Sequence, residues 1–162
     1  SVAFSGITAG TNTNALVIGT GGSLSVSGSG TITATTVTNP PHSFTCQMGA
    51  ATGSTVLSTG DTGCYSENGP YAGTINRVDI IGNGAALATC SITVDLWKAN
   101  AALPTASQKI SASAPATLST ANVATSGSLT GWTTAVVAND IWNANIATVT
   151  GCVFAKVTVY YQ

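Results

Sequence analysis

The best alternation of apolar and polar residues in this chain, at positions 89–97 with Trp97 at the end of the polar side, restricts it to folds that contain a half-buried β-strand. One side of that strand would carry the apolar residues Cys90, Ile92, Val94 and Leu96. The last segment, 153–161, alternates in the same way. Because no window of a dozen residues keeps a period of 3.6, we expect no helices of ordinary length.

Other short runs rich in β-branched residues are bounded by Gly, Asn, Pro or Ser and predict further strands. The predicted strands are 15–19, 23–27, 31–37, 74–81, 89–97, 108–113, 131–137, 140–146 and 153–161. Residues 46–72 are expected to form a long loop or a hairpin with an irregular tip. Short strands at this spacing predict an all-β fold, an antiparallel β-sandwich of the jelly-roll kind.

Composition changes near position 40 and divides the chain in two. Residues 1–40 are short Gly/Thr/Ser-rich β segments without a charged residue, and such segments bury little apolar surface alone. We therefore predict a β extension over 1–40 that serves as an oligomerisation or docking arm, followed by a β-sandwich domain over 41–162. Pro40 and Pro41 mark the boundary, since neither can donate a ladder hydrogen bond.

The chain has few charges, and this limits its partners. Charged residues make up 6% of the sequence, against about 25% in ordinary soluble domains. A surface of Thr, Ser, Asn and Gly is poorly protected against self-association, which predicts a homo-oligomer. The four basic residues are scattered, so nucleic acid is not expected as a partner. No apolar run approaches the roughly 20 residues that a membrane-spanning helix needs.

Four cysteines allow three disulfide pairings if all are oxidised. A bridge between Cys46 and Cys64 is the first choice and one between Cys90 and Cys152 the second, while buried free thiols are an equally good reading. The single histidine, His42, and the absence of a CxxC pair argue against a zinc site. No cofactor is expected.

Catalytic patterns are absent from the sequence. The five carboxylates are isolated along the chain, and a Ser-His-Asp triad would have to use His42 without a G-x-S-x-G motif. The segment 61–71 contains Asp61 and Glu67 but lacks the spacing of an EF-hand, so a plain loop is the better reading. We therefore expect a protein that is not an enzyme.

Aromatic residues are the remaining candidates for ligand recognition, because their rings stack on sugars and on partner proteins. Tyr65 and Tyr71 lie in the predicted loop and are the best candidates for a recognition surface. For Trp97, Trp132 and Trp142, packing in the core or between subunits is the favoured role. If a tryptophan does bind a ligand, Trp142 is the first to consider.

Four segments between residues 88 and 161 resemble a domain found at the C-terminal ends of tailed-bacteriophage virion proteins, such as tail-fibre and minor structural proteins. They are SITVDLWKAN (91–100), LPTASQKISASAPATLSTA (103–121), GSLTGWTTAVVANDIWNANI (127–146) and VFAKVTVYY (153–161). The positions that match the family pattern are Asp95, Trp97, Lys98, Pro104, Ile110, Pro115, Leu118, Gly131, Trp132 and Asp140. The Gly/Thr-rich segment ITAGTNTNALVIGTGGSLSVSGSGTITAT is also similar to a segment upstream in such proteins, which leaves roughly 40–87 without a counterpart.

Three positions depart from the family pattern. Asn139 stands where a Gly usually precedes the Asp, and Asn tolerates the positive φ that this turn requires. Trp142 stands where the pattern more often has Leu or Phe, and Asn143 where it has a charged or aromatic residue. If one of the two tryptophans in 127–146 has a role particular to this protein, we therefore expect it to be Trp142 and not Trp132.

The resemblance implies a structural protein on the exterior of a phage particle that assembles with copies of itself. The oligomer that the resemblance favours is a trimer. Its other partners would be virion proteins such as the major capsid protein or tail components. The alternative is a carbohydrate-binding module or receptor-binding adhesin domain that recognises host-surface glycan.

Overall fold

The computed structural model describes residues 40–112, 114–126 and 128–162. These residues form two antiparallel sheets with a shared apolar interior, which confirms the predicted all-β sandwich. The expected β extension over 1–40, with its predicted strands at 15–19, 23–27 and 31–37, lies outside the described residues except for Pro40.

Nine strands follow one another along the described ranges. They are β1 His42–Gly49, β2 Thr62–Glu67, β3 Gly73–Gly84, β4 Cys90–Asn100, β5 Ala116–Ala121, β6 Val123–Ser126, β7 Ala135–Val136, β8 Asp140–Thr150 and β9 Cys152–Tyr161. Two single 3-10 turns, Ala85–Leu87 and Ala106–Gln108, precede β4 and β5 respectively.

The strand order is that of a jelly roll. One sheet runs β1-β9-β3-β6, with the two-residue β7 paired to β3, and the other runs β2-β8-β4-β5. All pairings are antiparallel. With β7 set aside, the chain crosses between the sheets after every strand but β4, and this gives the double Greek key of the jelly roll.

Alternation along the strands accounts for the core. In β4 the apolar residues of the predicted inner side are buried and the residues between them are half-buried, and β9 behaves in the same way. The largest fully buried side chains come from both sheets and include Ile80, Val157, Ile92, Leu96 and Trp142. Four of the predicted strands, 74–81, 89–97, 140–146 and 153–161, are therefore confirmed, and all four contribute side chains to one core.

Three predicted segments differ from the structure, and the strands β5 and β6 are not among the predicted strands. Residues 46–72 form neither one long loop nor a hairpin, because they contain the end of β1 and all of β2, which belong to different sheets. The described part of 108–113 does not form a strand. The backbone N–H of Leu96 on β4 donates to the Ser111 hydroxyl at 3.2 Å, in place of a backbone carbonyl of a neighbouring strand. Residues 131–137 form a strand only at Ala135–Val136, because Gly131, with a φ of 77°, lies in a turn that precedes it.

Two disulfides join the sheets: Cys46–Cys64 links β1 to β2, and Cys90–Cys152 links β4 to β9. Both pairings are those predicted from the sequence, and the alternative prediction of free thiols is wrong, because none of the described cysteines is free. The paired cysteines are 18 and 62 positions apart in the chain. Each bridge therefore fixes one sheet to the other at a different point along the core.

Removing the Cys90–Cys152 bridge should destabilise the fold more than removing Cys46–Cys64. The entropy that a bridge removes from the unfolded chain grows with the logarithm of the closed length, which gives about 4 kcal/mol for the longer bridge and about 3 kcal/mol for the shorter. Urea unfolding of the Cys90→Ala/Cys152→Ala and Cys46→Ala/Cys64→Ala proteins measures both values. The reverse order would contradict this account.

Candidate functional site

The three aromatic residues predicted to form a recognition surface do not lie together. Tyr65 on β2 is 56% exposed and Tyr71, in the turn between β2 and β3, is 50% exposed. Trp142 on β8 has no exposed surface and packs against Phe44 with ring centroids 4.1 Å apart. Trp142 therefore has the packing role that was favoured for it, and its place in a recognition surface is wrong, because its face of β8 is the core face.

Tyr71 belongs to an aromatic stack at one end of the sandwich. The ring of His42 stacks on Tyr71 at 4.1 Å and on Tyr161 at 5.5 Å. The amide of Asn68 donates to the carbonyl of Tyr71 at 2.7 Å, and the Tyr161 hydroxyl donates to the carbonyl of Asn68 at 3.1 Å. Tyr71 is thus held in place by its neighbours and contributes to the stability of this end.

Tyr65 lies instead on the outer face of the four-stranded sheet, at one end of a cross-strand row. On β8, Asn143 lies directly opposite Tyr65. On the other side of β8, Asn143 lies opposite Trp97 of β4, and Trp97 in turn forms an isolated β-bridge with Lys109. Directly opposed residues of antiparallel strands project from the same face, with Cβ atoms about 5 Å apart. We call Tyr65, Asn143, Trp97 and Lys109 the outer row.

Asn143 is the unusual member of the outer row. It projects away from the core, since its neighbours Trp142 and Ala144 fill the inner face, yet it has no exposed surface. Neither its side-chain nitrogen nor its side-chain oxygen has a hydrogen-bond partner among the described residues. Buried amides are nearly always satisfied, so two unpaired atoms on one side chain call for an explanation.

The charged groups next to the outer row are acidic or paired. Asp95 precedes Trp97 by two residues on the same face of β4, and its carboxylate accepts from Lys109 Nζ at 2.8 Å. Glu67 follows Tyr65 by two residues on β2 and is exposed. The outer row therefore has no unpaired cation beside it among the described side chains.

A second exposed ion pair lies on the outer face of the five-stranded sheet. The Arg77 side chain donates to both carboxylate oxygens of Asp79 and also lies over the ring of Tyr160, 4.4 Å from its centroid. This hydrogen bonding lowers the pKa of Asp79 and raises the pKa of Arg77. Because the Arg77 side chain is 55% exposed, the pair contributes little to stability.

The third ion pair is buried and fixes the start of β8. Lys98 Nζ lies 2.7 Å from an Asp140 carboxylate oxygen, and the two side chains are 12% and 1% exposed. The same carboxylate accepts the backbone N–H of Val137 at 2.8 Å and so closes the turn before the strand. Asn139 in that turn has a φ of 62°, the positive value expected of an Asn in place of Gly. Asp140 thereby sets the position of the residues that follow it on β8.

The free edge of β1 is a different kind of surface. In the described part of the chain, β1 forms the end of its sheet and pairs with β9 alone. Its sequence, HSFTCQMG, contains no Lys, Arg, Asp, Glu or Pro. Protein edge strands are usually protected by such residues, by bulges or by a covering element. Ser43, Thr45 and Gln47 are exposed positions along it.

A surface concavity offers no ionisable lining residue, and the acidic, His and Cys side chains of the described residues offer no metal-binding cluster. A shallow concavity of about 250 Å³ is lined by Ala51, Thr52, Gly53, Ala86 and Leu87, none of which ionises. Over residues 40–112, 114–126 and 128–162, no group of three or more His, Cys, Asp or Glu side chains is placed to hold a metal ion.

Comparisons with family models, with curated proteins and with solved structures find no match to this chain. In the part that the structure describes, no helix is long and apolar enough to cross a membrane.

Replacing Lys98 by Met should cost about 3–5 kcal/mol of unfolding free energy, because it leaves the buried Asp140 carboxylate without its counter-ion. The matched control is Arg77→Met, which breaks an exposed pair and should leave stability almost unchanged. Chemical denaturation of both variants provides the comparison. Equal losses would show that Asp140 does not depend on Lys98.

Proposed function

We propose that this chain is a non-enzymatic structural protein of a phage virion. In this role it decorates or stabilises the exterior of the particle, or forms part of a fibre-like appendage, by self-association. The resemblance of residues 88–161 to virion domains supports the phage assignment. The edge of β1, which has no partner strand among the described residues, carries the argument for self-association.

An edge of this kind favours pairing with another chain. Eight residues of β1 present one side of their backbone without a partner strand in the described structure, and no charged side chain or proline within β1 blocks approach. Main-chain hydrogen bonds across such an edge are the basis of strand addition between proteins. Thr45 and Gln47 are the exposed side chains in the middle of this edge.

The distribution of charge also favours assembly. Of the nine charged residues, six form three ion pairs within the chain. In the described structure Asp61, Glu67 and Lys156 are left outside these pairs, so copies of the chain repel one another weakly at neutral pH. The proposed partners are further copies of the chain, as a trimer for preference, and virion proteins such as the major capsid protein or tail components.

Recognition of host-surface glycan is the second candidate, and one observation favours it. Tyr65 is exposed on the outer face of a sheet, in register with Asn143 and, through it, with Trp97. Jelly rolls include both viral capsid and lectin domains, so the fold agrees with either function and decides neither. The two functions are compatible, because the β1 edge and the outer row belong to different sheets.

The test of self-association is sedimentation velocity of the full chain and of the Thr45→Lys/Gln47→Lys protein. We expect a discrete oligomer for the unchanged chain and a monomer for the variant, because lysines on an edge strand prevent pairing. A trimer would require a heterologous contact, in which β1 of one copy meets a different surface of the next.

The matched control is Thr93→Lys/Thr117→Lys, which adds the same charge to the outer face of the other sheet, where the two hydroxyls lie 3.4 Å apart. This protein should keep the oligomer. If the unchanged chain is a monodisperse monomer up to its solubility limit, the proposal fails.

A further inference from the structure

We propose that the outer row is a binding site for a neutral oligosaccharide, with the Asn143 amide as its polar anchor and Trp97 and Tyr65 as its stacking surfaces. The proposal deepens the second candidate function, on which it rests, by naming its site and ligand class. It does not depend on assembly through β1.

The placement of the aromatic rings suits a sugar chain. Tyr65 and Trp97 lie on the two strands that flank β8, one on each side of Asn143. Four neighbouring backbone segments at about 4.8 Å spacing give the row from Tyr65 to Lys109 a length of about 14 Å. This is longer than one pyranose ring and fits a short oligosaccharide that crosses the strands.

The unpaired Asn143 amide supplies hydrogen bonds to sugar hydroxyl groups, which the faces of aromatic rings cannot do. A primary amide donates two hydrogen bonds through Nδ2 and accepts through Oδ1, which matches two neighbouring hydroxyl groups of a sugar. In Asn143 both atoms are without partners in the described structure, although the side chain has no exposed surface. Because an unsatisfied buried amide is costly, a ligand that satisfies both atoms at once gains from relieving that cost.

Tyr65 is the side chain that can admit the ligand. It is 56% exposed and lies on the edge strand of its sheet, while Trp97, on the inner strand β4, is half-buried. We expect the ligand to reach the amide from the Tyr65 side, because Tyr65 is the more exposed of the two flanking rings and can change rotamer while Trp97 stays in place.

The charges next to the row favour a neutral ligand. Glu67 and Asp95 lie in the rows on either side of it, and the nearby cation, Lys109, is already paired with Asp95. Phosphorylated or sialylated ligands would therefore meet carboxylates without a free positive charge. Neutral hexose chains avoid this repulsion.

The experiment is a titration of the full chain with neutral linear hexaoses of glucose, mannose and N-acetylglucosamine, with sialyllactose as the charged comparison. Heteronuclear NMR reports both affinity and location. We expect at least one neutral hexaose to bind and to shift the side-chain signals of Trp97 and Asn143. Failure of all neutral probes to bind at about 10 mM, a concentration that half-saturates a site with a Kd of about 10 mM, would overturn the proposal.

Variants locate the site and separate recognition from folding. Tyr65→Ala should weaken binding at least tenfold, whereas Tyr71→Ala, which removes a similarly exposed ring elsewhere, should leave it unchanged. Asn143→Leu keeps the branched shape of the side chain and removes both unpaired atoms. We expect it to raise Tm and to weaken binding at least tenfold.

Two results would contradict the assignment of Asn143. A lower Tm with unchanged affinity would make the residue structural only, and unchanged affinity with a higher Tm would make it irrelevant to the ligand. Sedimentation of the same variants distinguishes the two proposals. Loss of sugar binding with an intact oligomer would contradict neither self-association nor the proposed assembly function. Loss of the oligomer with intact sugar binding would not contradict the outer row as a saccharide site.

Discussion

Strand β8 lies inside its sheet, and the alternation of its side chains determines both the core and the outer row. Trp142, Ala144 and Ile146 point inward and have no exposed surface, while Asn143 points outward between β2 and β4. The register of β8 is set at Asp140, where the strand begins. Its carboxylate forms an ion pair with Lys98 and accepts the backbone N–H of Val137. A slip of one residue would exchange Trp142 for Asn143 in the core.

The sequence predicts those elements well whose two faces differ clearly in polarity. In β4 and β9 the inner positions are apolar and the outer ones mostly polar or aromatic, so both strands and their buried faces followed from the alternation. In β1 the same alternation is present, with Phe44, Cys46 and Met48 inward, but Pro, Gly and Gln in and around it obscure the signal. The two disulfides were the first choices, although spacing alone left free thiols equally open.

The candidate site was less predictable, because it depends on which strands become neighbours. Tyr65 was found by residue type alone, and Trp142 stayed a candidate ligand residue although packing was its favoured role. Both faces of β8 mix apolar and polar residues, so local polarity does not show which one is buried. Asn143 lies between Tyr65 and Trp97 because β2 and β4 both pair with β8, and neither strand is close to β8 in the chain. The outer row therefore follows from the jelly-roll strand order, and no local motif points to it.

The two proposed surfaces are linked by the position of β2. The strand β1, whose edge is free in the described structure, is joined to β2 by the Cys46–Cys64 bridge, and β2 carries Tyr65 at the open end of the outer row. Pairing through β1 would therefore place the Tyr65 end of at least one copy near each contact. A site with two rings and one amide would bind a neutral sugar weakly, but repetition in an assembly would raise the effective affinity by orders of magnitude without new contacts. Self-association through a charge-poor edge would thus add multivalency to a saccharide site that each copy carries by itself.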